Sequence, residues 1–131
     1  MPITPPYAAI FAVLFFLLSV RTLRLRRSLQ IPVGDAGNPK TLRAMRVHSN
    51  FAEYVPLTLL LVSMPESVGG ARASIHILCL TLLCGRLCHA YGVSQISEKF
   101  GYRVVGMALT FTALMGAALL ILVTYSWRAL G

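Results

Sequence analysis

Residues 43–57 read "RAMRVHSNFAEYVPL" and run without a break into "TLLLVSM" at 58–64. The second stretch is apolar enough for a bilayer, and the first is the densest group of polar side chains in the chain. The uncharged part, 54–64, is too short to cross a hydrocarbon core that takes about 20 residues of helix. The segment crosses only if one helix begins near Thr41 and carries Arg43, Arg46, Asn50 and Glu53 into the membrane zone. On a helix with 3.6 residues per turn, Arg43, Arg46, Asn50, Glu53 and Leu57 fall on one stripe. Tyr54 lies at its edge and His48 well off it. Pro56 falls inside this helix and is expected to kink it.

The rest of the chain agrees with a membrane setting. Of 131 residues, 56 % are apolar and only 12 % charged, about half the charged share of a soluble domain. One domain spanning 1–131 is expected, all α-helical, with spans at about 5–27, 39–64, 72–93 and 101–128. The first span opens on Pro5 and Pro6, where missing backbone donors cost least. "IPVGDAGNP" after it is the clearest turn in the chain, and "PESVGGAR" is a second, tight one. A polar link, "SQISEKFGY", leads to the fourth span. No basic n-region or small-residue cleavage site marks a signal peptide. There is no internal repeat.

The net charge of +8 is explained by topology rather than by nucleic-acid binding. Arg21, Arg24, Arg26, Arg27, Lys40, Arg43 and Arg46 flank the first loop, and Arg86, Lys99 and Arg103 flank the third. Only Arg72 and Arg128 lie at the opposite side. Basic residues gather on the cytoplasmic side. The first and third loops are therefore expected in the cytoplasm and both termini outside, and the run "RTLRLRR" touches anionic lipid.

Charged groups in a membrane helix face the bundle interior or a wet cavity. Arg86 and His89 share a face of the third span, and Arg103 opens the fourth. Arg46, Arg86 and Arg103 should meet at similar depth, with Glu53 the one acid placed to answer them. Such a pocket suits an anionic ligand such as a carboxylate, a phosphate or a thiolate. A purely structural network, with Asn50 and Tyr54 bonding between helices, is the plain alternative. Cys79, Cys84 and Cys88 lie in one apolar segment and suggest neither a disulfide framework nor, for want of a fourth ligand beside His89, a metal site. A proton-coupled exporter would need an intramembrane carboxylate, and Glu53 sits among arginines.

The stretch "RAMRVHSNFAEYVPL" resembles the second-helix signature of the membrane-associated proteins in eicosanoid and glutathione metabolism, the MAPEG family. The pattern R-x-x-x-N-x-x-E-Y-x-P falls on Arg46, Asn50, Glu53, Tyr54 and Pro56. "GRLCHAYG" is similar to the third-helix R-x-x-H pattern and "YRVVGMALT" to the start of the fourth helix. The resemblance covers the whole chain. It implies a homotrimer of four-helix subunits in which glutathione, as co-substrate, binds between neighbours near the cytoplasmic side. It also implies that Arg46, Asn50, Glu53 and Tyr54 hold glutathione, Glu53 by its amino group and the arginines by its carboxylates. Arg86 and His89 would contribute from the third helix, and Arg103 would sit by the sulfur as the catalytic residue. His48 matches a histidine of the prostaglandin-synthase type. One of Arg26 or Arg27 corresponds to a first-helix arginine near the site, and Arg26 is taken for it.

The expected activity is a membrane-bound glutathione transferase or peroxidase acting on lipophilic electrophiles or lipid hydroperoxides drawn from the bilayer. The alternative is a non-enzymatic member that binds a lipid or a partner protein. Retention of the glutathione-holding set and Arg103 argues against the alternative, and an Arg103→Ala change separates the two. The chain has His89 and Val93 where the leukotriene-synthase type has tyrosines, and Val104 where the prostaglandin-synthase type has a hydroxyl, which weighs against isomerase activity. A compact arginine-rich form looks bacterial, so an inner membrane is expected.

Overall fold

The structure, a computed structural model, describes residues 1–97 and 99–130, with all of their side chains except Arg128 and Leu130. Glu98 in the polar link, the Arg128 side chain weighed in the charge comparison and Gly131 lie outside the described residues. Among the described residues the chain forms helices and no strand: α1 (Thr4–Ser28), α2 (Pro39–Ser67), α3 (Arg72–Ser94) and α4 (Phe100–Leu130). They run up and down, so both termini and the turn at 68–71 share one end of the bundle. The links at 29–38 and 95–99 share the other, the loop end.

Local chemistry sets the boundaries. Pro5 and Pro6 occupy the first turn of α1, and Arg26 and Arg27 fall in its last turn, where cations meet the negative end of the helix dipole. Gln30, Gly34, Ala36 and Gly37 take left-handed backbone angles in the first link. Asn38 then caps α2, its side-chain oxygen accepting from the N–H groups of Lys40 at 3.0 Å and Thr41 at 3.2 Å. Helix α2 passes through both Pro56 and Pro65 and ends at Ser67, so the turn begins at Val68 rather than at Pro65. A proline removes one donor and leaves the flanking ladder in place. The turn closes when Gly70 N–H donates to the Pro65 carbonyl at 2.7 Å. A Cβ on Gly70 would lie 2.7 Å from that oxygen, so only glycine fits.

Helices α1, α3 and α4 are long and apolar enough to cross a membrane, with mean hydropathies of 2.0, 1.5 and 2.2. Helix α2 does not meet that measure, because its first half carries the polar stripe. Large apolar side chains continue onto the outer surface, and a few polar ones are buried. Phe16, Leu17, Leu80, Leu122 and Val123 are exposed on the outer surface, while Arg86, His89, Thr58 and Thr110 are buried. An apolar exterior with a charged and polar layer buried inside the bundle belongs to a membrane protein.

The interior is layered. Near the termini, Ile3, Val62, Ile75, Cys79 and Ala117 pack together. Phe11, Phe51, Val55, Leu82 and Ala113 form the next layer. Below them, toward the loop end, lies a polar layer of Asn50, Arg86, His89 and Thr110. Glycine makes this layer possible. A Cβ on Gly106 would lie 2.5 Å from the His89 backbone nitrogen and 2.8 Å from the Gly85 carbonyl oxygen. The α3 and α4 backbones therefore touch at the level where the site is built. Gly106, in the "GMALT" run of α4, supplies the small residue for this contact.

Candidate functional site

At the loop end, α2, α3 and α4 enclose a cavity of about 510 Å³. Helix α2 contributes Arg43, Arg46, Ser49, Asn50 and Glu53, helix α3 contributes His89 and Val93, and α4 contributes Arg103. The polar stripe read from spacing is thus one wall of this cavity up to Glu53. Leu57, its apolar continuation, is exposed on the surface. Close packing at Gly106 brings Arg103, one turn earlier on α4, opposite the α2 stripe. The Arg43 guanidinium donates from Nη1 to the Val93 carbonyl at 3.2 Å, and Arg21 donates to the Ser94 hydroxyl. Both arginines meet the last turn of α3, where carbonyls lack helical donors.

Arg46, Asn50, Glu53, His89 and Arg103 come together here. Four other residues of the candidate set lie elsewhere. Arg86 does not share the cavity with Arg46 and Arg103. It is 1 % exposed and sits behind the wall, held by Asn50 Oδ1 at 2.7 Å, His89 Nδ1 at 2.8 Å and Thr110 Oγ1 at 3.3 Å. Its guanidinium also stands 6.0 Å from the Phe51 ring centre. Acceptors inside the bundle draw it inward. Arg43 takes its place as the third arginine of the lining. Tyr54 packs edge-on against Phe111 of α4, ring centres 5.5 Å apart, and does not line the cavity.

His48 and Arg26 line a second cavity, of about 440 Å³, between α1 and α2, which Arg46 and Ser49 also border. His48 stacks on Phe15 with ring centres 4.7 Å apart, and its Nε2 lies 2.9 Å from the Ser19 hydroxyl. The Arg26 guanidinium donates to the carbonyls of Ile31 and Pro32, so it is turned back onto the first link. Arg27 is exposed. Arg46 therefore stands between two cavities, one on each side of α2.

Sequence spacing placed Arg43 on the stripe but left it out of the binding set. Ser49 carried no signal of its own, and Val93 was noted only as standing where the leukotriene-synthase type has a tyrosine. Thr110, which accepts from Arg86, looks in sequence like any threonine of an apolar helix. Among the described residues no group of three His, Cys, Asp or Glu side chains is placed to hold a metal ion. Cys79 is buried in the upper apolar layer, and Cys84 and Cys88 stand on other faces of α3 as free thiols.

The cavity carries three guanidinium groups, a carboxylate, an amide and an imidazole within reach of one ligand. That donor-rich set with a single carboxylate among its described members suits a zwitterion with more than one anionic group.

A four-helix membrane protein with a charged cavity at its loop end is therefore the class of molecule defined so far. The chain belongs to the MAPEG family, whose sequence profile matches residues 4–123. It is 35 % identical over 109 residues to the "Inner membrane protein YecN" of Escherichia coli strain K12, covering 83 % of this chain and 82 % of that protein. The protein of the same name from Escherichia coli O6:H1 strain CFT073 matches equally, 35 % over 109 residues with the same coverage. The chain is thus a membrane protein of the glutathione and eicosanoid metabolism family.

Proposed function

We propose that the chain is a glutathione-dependent transferase or peroxidase that activates the thiolate of glutathione for attack on lipophilic electrophiles or lipid hydroperoxides. The observation that carries this reading is the convergence of Arg46, Asn50, Glu53, His89 and Arg103 on one cavity. Its volume, about 510 Å³, lies in the usual range for small-ligand sites. Glutathione presents two carboxylates, an ammonium group and a thiol. Glu53 pairs with the ammonium group, and Arg43 and Arg46 take the carboxylates. Arg103 faces the sulfur. A free thiol titrates near 8.5 and the thiolate is the nucleophile. A neighbouring guanidinium favours the ionised form, and arginine suits the task because it stays charged. A one-unit fall in thiol pKa corresponds to about 1.4 kcal/mol.

In the transferase reaction the thiolate lone pair forms a C–S bond as the electrophile expels its leaving group or, at an activated double bond, as the π bond breaks and the adjacent carbon takes up a proton. In the peroxidase reaction it attacks the distal peroxide oxygen, the O–O bond breaks to release an alcohol, and a second glutathione resolves the sulfenic product to a disulfide and water. In both, the protein supplies position and charge.

The working unit in this reading is a homotrimer of single membrane domains. Arg26 and His48 belong to the same ligand site, contributed by a neighbour. Their cavity lies on the opposite side of α2 from the Arg103 cavity, and rotation about a three-fold axis would set one against the other. The basic loops face the cytoplasm, the termini lie outside, and the membrane is a bacterial inner membrane, as the name of the Escherichia coli relatives indicates for those proteins. The test is turnover by purified protein in detergent or nanodiscs, with glutathione and a panel of lipophilic electrophiles and lipid hydroperoxides. Glutathione-dependent turnover that saturates and falls at least about 100-fold in Arg103→Ala is expected. Absence of turnover across the panel, with glutathione bound, would leave a binding protein instead.

A further inference from the structure

Arg86 touches two residues of the cavity wall without lining the cavity. Its Nη2 donates to Asn50 Oδ1 at 2.7 Å and lies 2.8 Å from His89 Nδ1. A guanidinium has five N–H donors and no acceptor, so both partners must accept. The Asn50 amide therefore turns its oxygen toward Arg86 and its NH2 toward the cavity. His89 offers the Nδ1 lone pair, and its neutral ring carries the proton on Nε2, on the other side of the ring. The direction of the network continues on α4. Thr110 Oγ1 donates to the Gly106 carbonyl at 2.8 Å, which leaves its oxygen to accept from Arg86 Nη1 at 3.3 Å.

We infer that Arg86 is a positioning residue that fixes Asn50 and His89 as hydrogen-bond donors toward the cavity, so that the wall selects acceptor oxygens of the ligand. Loss of Arg86 removes the donor that sets both orientations, and the flipped amide or the other tautomer would each face a carboxylate or carbonyl with an acceptor. The inference rests on the glutathione reading only for the identity of the ligand. The orientation of Asn50 and His89 is a property of the ligand-free protein. Buried partners behind a binding group commonly change affinity by about 10-fold to 100-fold when removed, as they do behind metal ligands.

The experiment is ¹⁵N NMR of histidine-labelled trimer or whole detergent-solubilised protein, with His89 assigned by its loss in His89→Gln. The wild type is expected to show His89 protonated on Nε2 alone, Arg86→Lys to keep that tautomer, and Arg86→Gln to show a mixture. A wild-type His89 protonated on Nδ1, or an Nε2 tautomer unchanged in folded Arg86→Gln, would overturn the proposal. A second variant does not depend on losing Arg86. Asn50→Asp keeps an acceptor for the guanidinium and replaces the cavity-facing donor by an acceptor. It should fold, keep the His89 tautomer and bind glutathione at least about 10-fold more weakly, a loss of the size expected for one charge-assisted hydrogen bond. Unchanged glutathione affinity in Asn50→Asp would contradict the donor role. An Nε2 tautomer that becomes mixed in Arg86→Gln, in protein that binds no glutathione, would uphold Arg86's role and remove the glutathione reading.

Discussion

The two ends of the bundle each hold an acid on α2, and the two acids have different work. Glu66, at the terminal end, reaches across to α1. Its carboxylate accepts from the Ile3 N–H and from the Thr4 N–H at 3.0 Å, supplying the cap that the Ile3 side chain at the N-cap position does not. A carboxylate at a helix N-terminus meets orphan donors and the positive end of the dipole. Glu53, at the loop end, lines a cavity with Arg43, Arg46 and Arg103. Both acids belong to one helix of an apolar chain, so polarity in a membrane helix does not by itself mark a ligand site. What separates them is geometry. Both acids border a cavity, but Glu66 is seated on the backbone of its own chain with Arg72 beside it, and Glu53 stands among three arginines from two helices.

The largest expected effect concerns the loop end. Arg103→Ala should remove thiolate formation and lower glutathione-dependent turnover by about 100-fold or more, measured at saturating glutathione, while bound glutathione remains detectable by calorimetry. Gly106→Ala comes next. The added methyl would meet the His89 backbone nitrogen at 2.5 Å, so α4 must move away from α3. A loss of about 1–3 kcal/mol is expected as a lower melting temperature in detergent, with weakened glutathione binding because His89 and Arg103 separate. Glu53→Gln should weaken glutathione by about 10-fold and should weaken a deaminated analogue much less. Equal losses for the two ligands would remove the ammonium contact.

The smallest effect belongs to the terminal end. Burial pushes the Glu66 carboxyl up, but the donors of Thr4 and Ile3 and the charge of Arg72 outweigh it and hold the group below its ordinary value of 4.5. A depressed carboxyl pKa contributes stability above the unfolded value and loses it as pH falls through the folded one. Unfolding of the wild type should therefore become easier below about pH 4.5, and the difference from Glu66→Gln should shrink over the same range. Because Glu66 is only partly buried at the end of the bundle, water screens it and the contribution should stay under about 1 kcal/mol. Glutathione turnover should be unaffected, in contrast to Glu53→Gln.

The helices were legible because composition and charge spacing carry them. Helix α2 could be read only by letting its polar stripe count as part of the span, since its hydropathy alone falls short. The stripe from Arg43 to Glu53 was legible because helical spacing reports which side chains share a face. Spacing does not report direction or depth. Arg86 shares its face with His89, yet its side chain turns inward to Asn50 and Thr110 while His89 reaches the cavity. Thr110 and Gly106 carry the α4 half of that layer and look unremarkable in an apolar run. The Glu66 contact joins residues more than 60 positions apart, and nothing local announces it. The placement of His48 and Arg26 on the far side of α2 follows from how α1 packs, which no periodicity within α2 contains.

The most direct measurement is a glutathione titration of the detergent-solubilised protein at neutral pH, following thiolate absorbance in the ultraviolet. Thiolate that appears in proportion to protein, saturates with glutathione and vanishes in Arg103→Ala is the predicted result. Saturable glutathione binding with no thiolate, or thiolate that persists in Arg103→Ala, would contradict it.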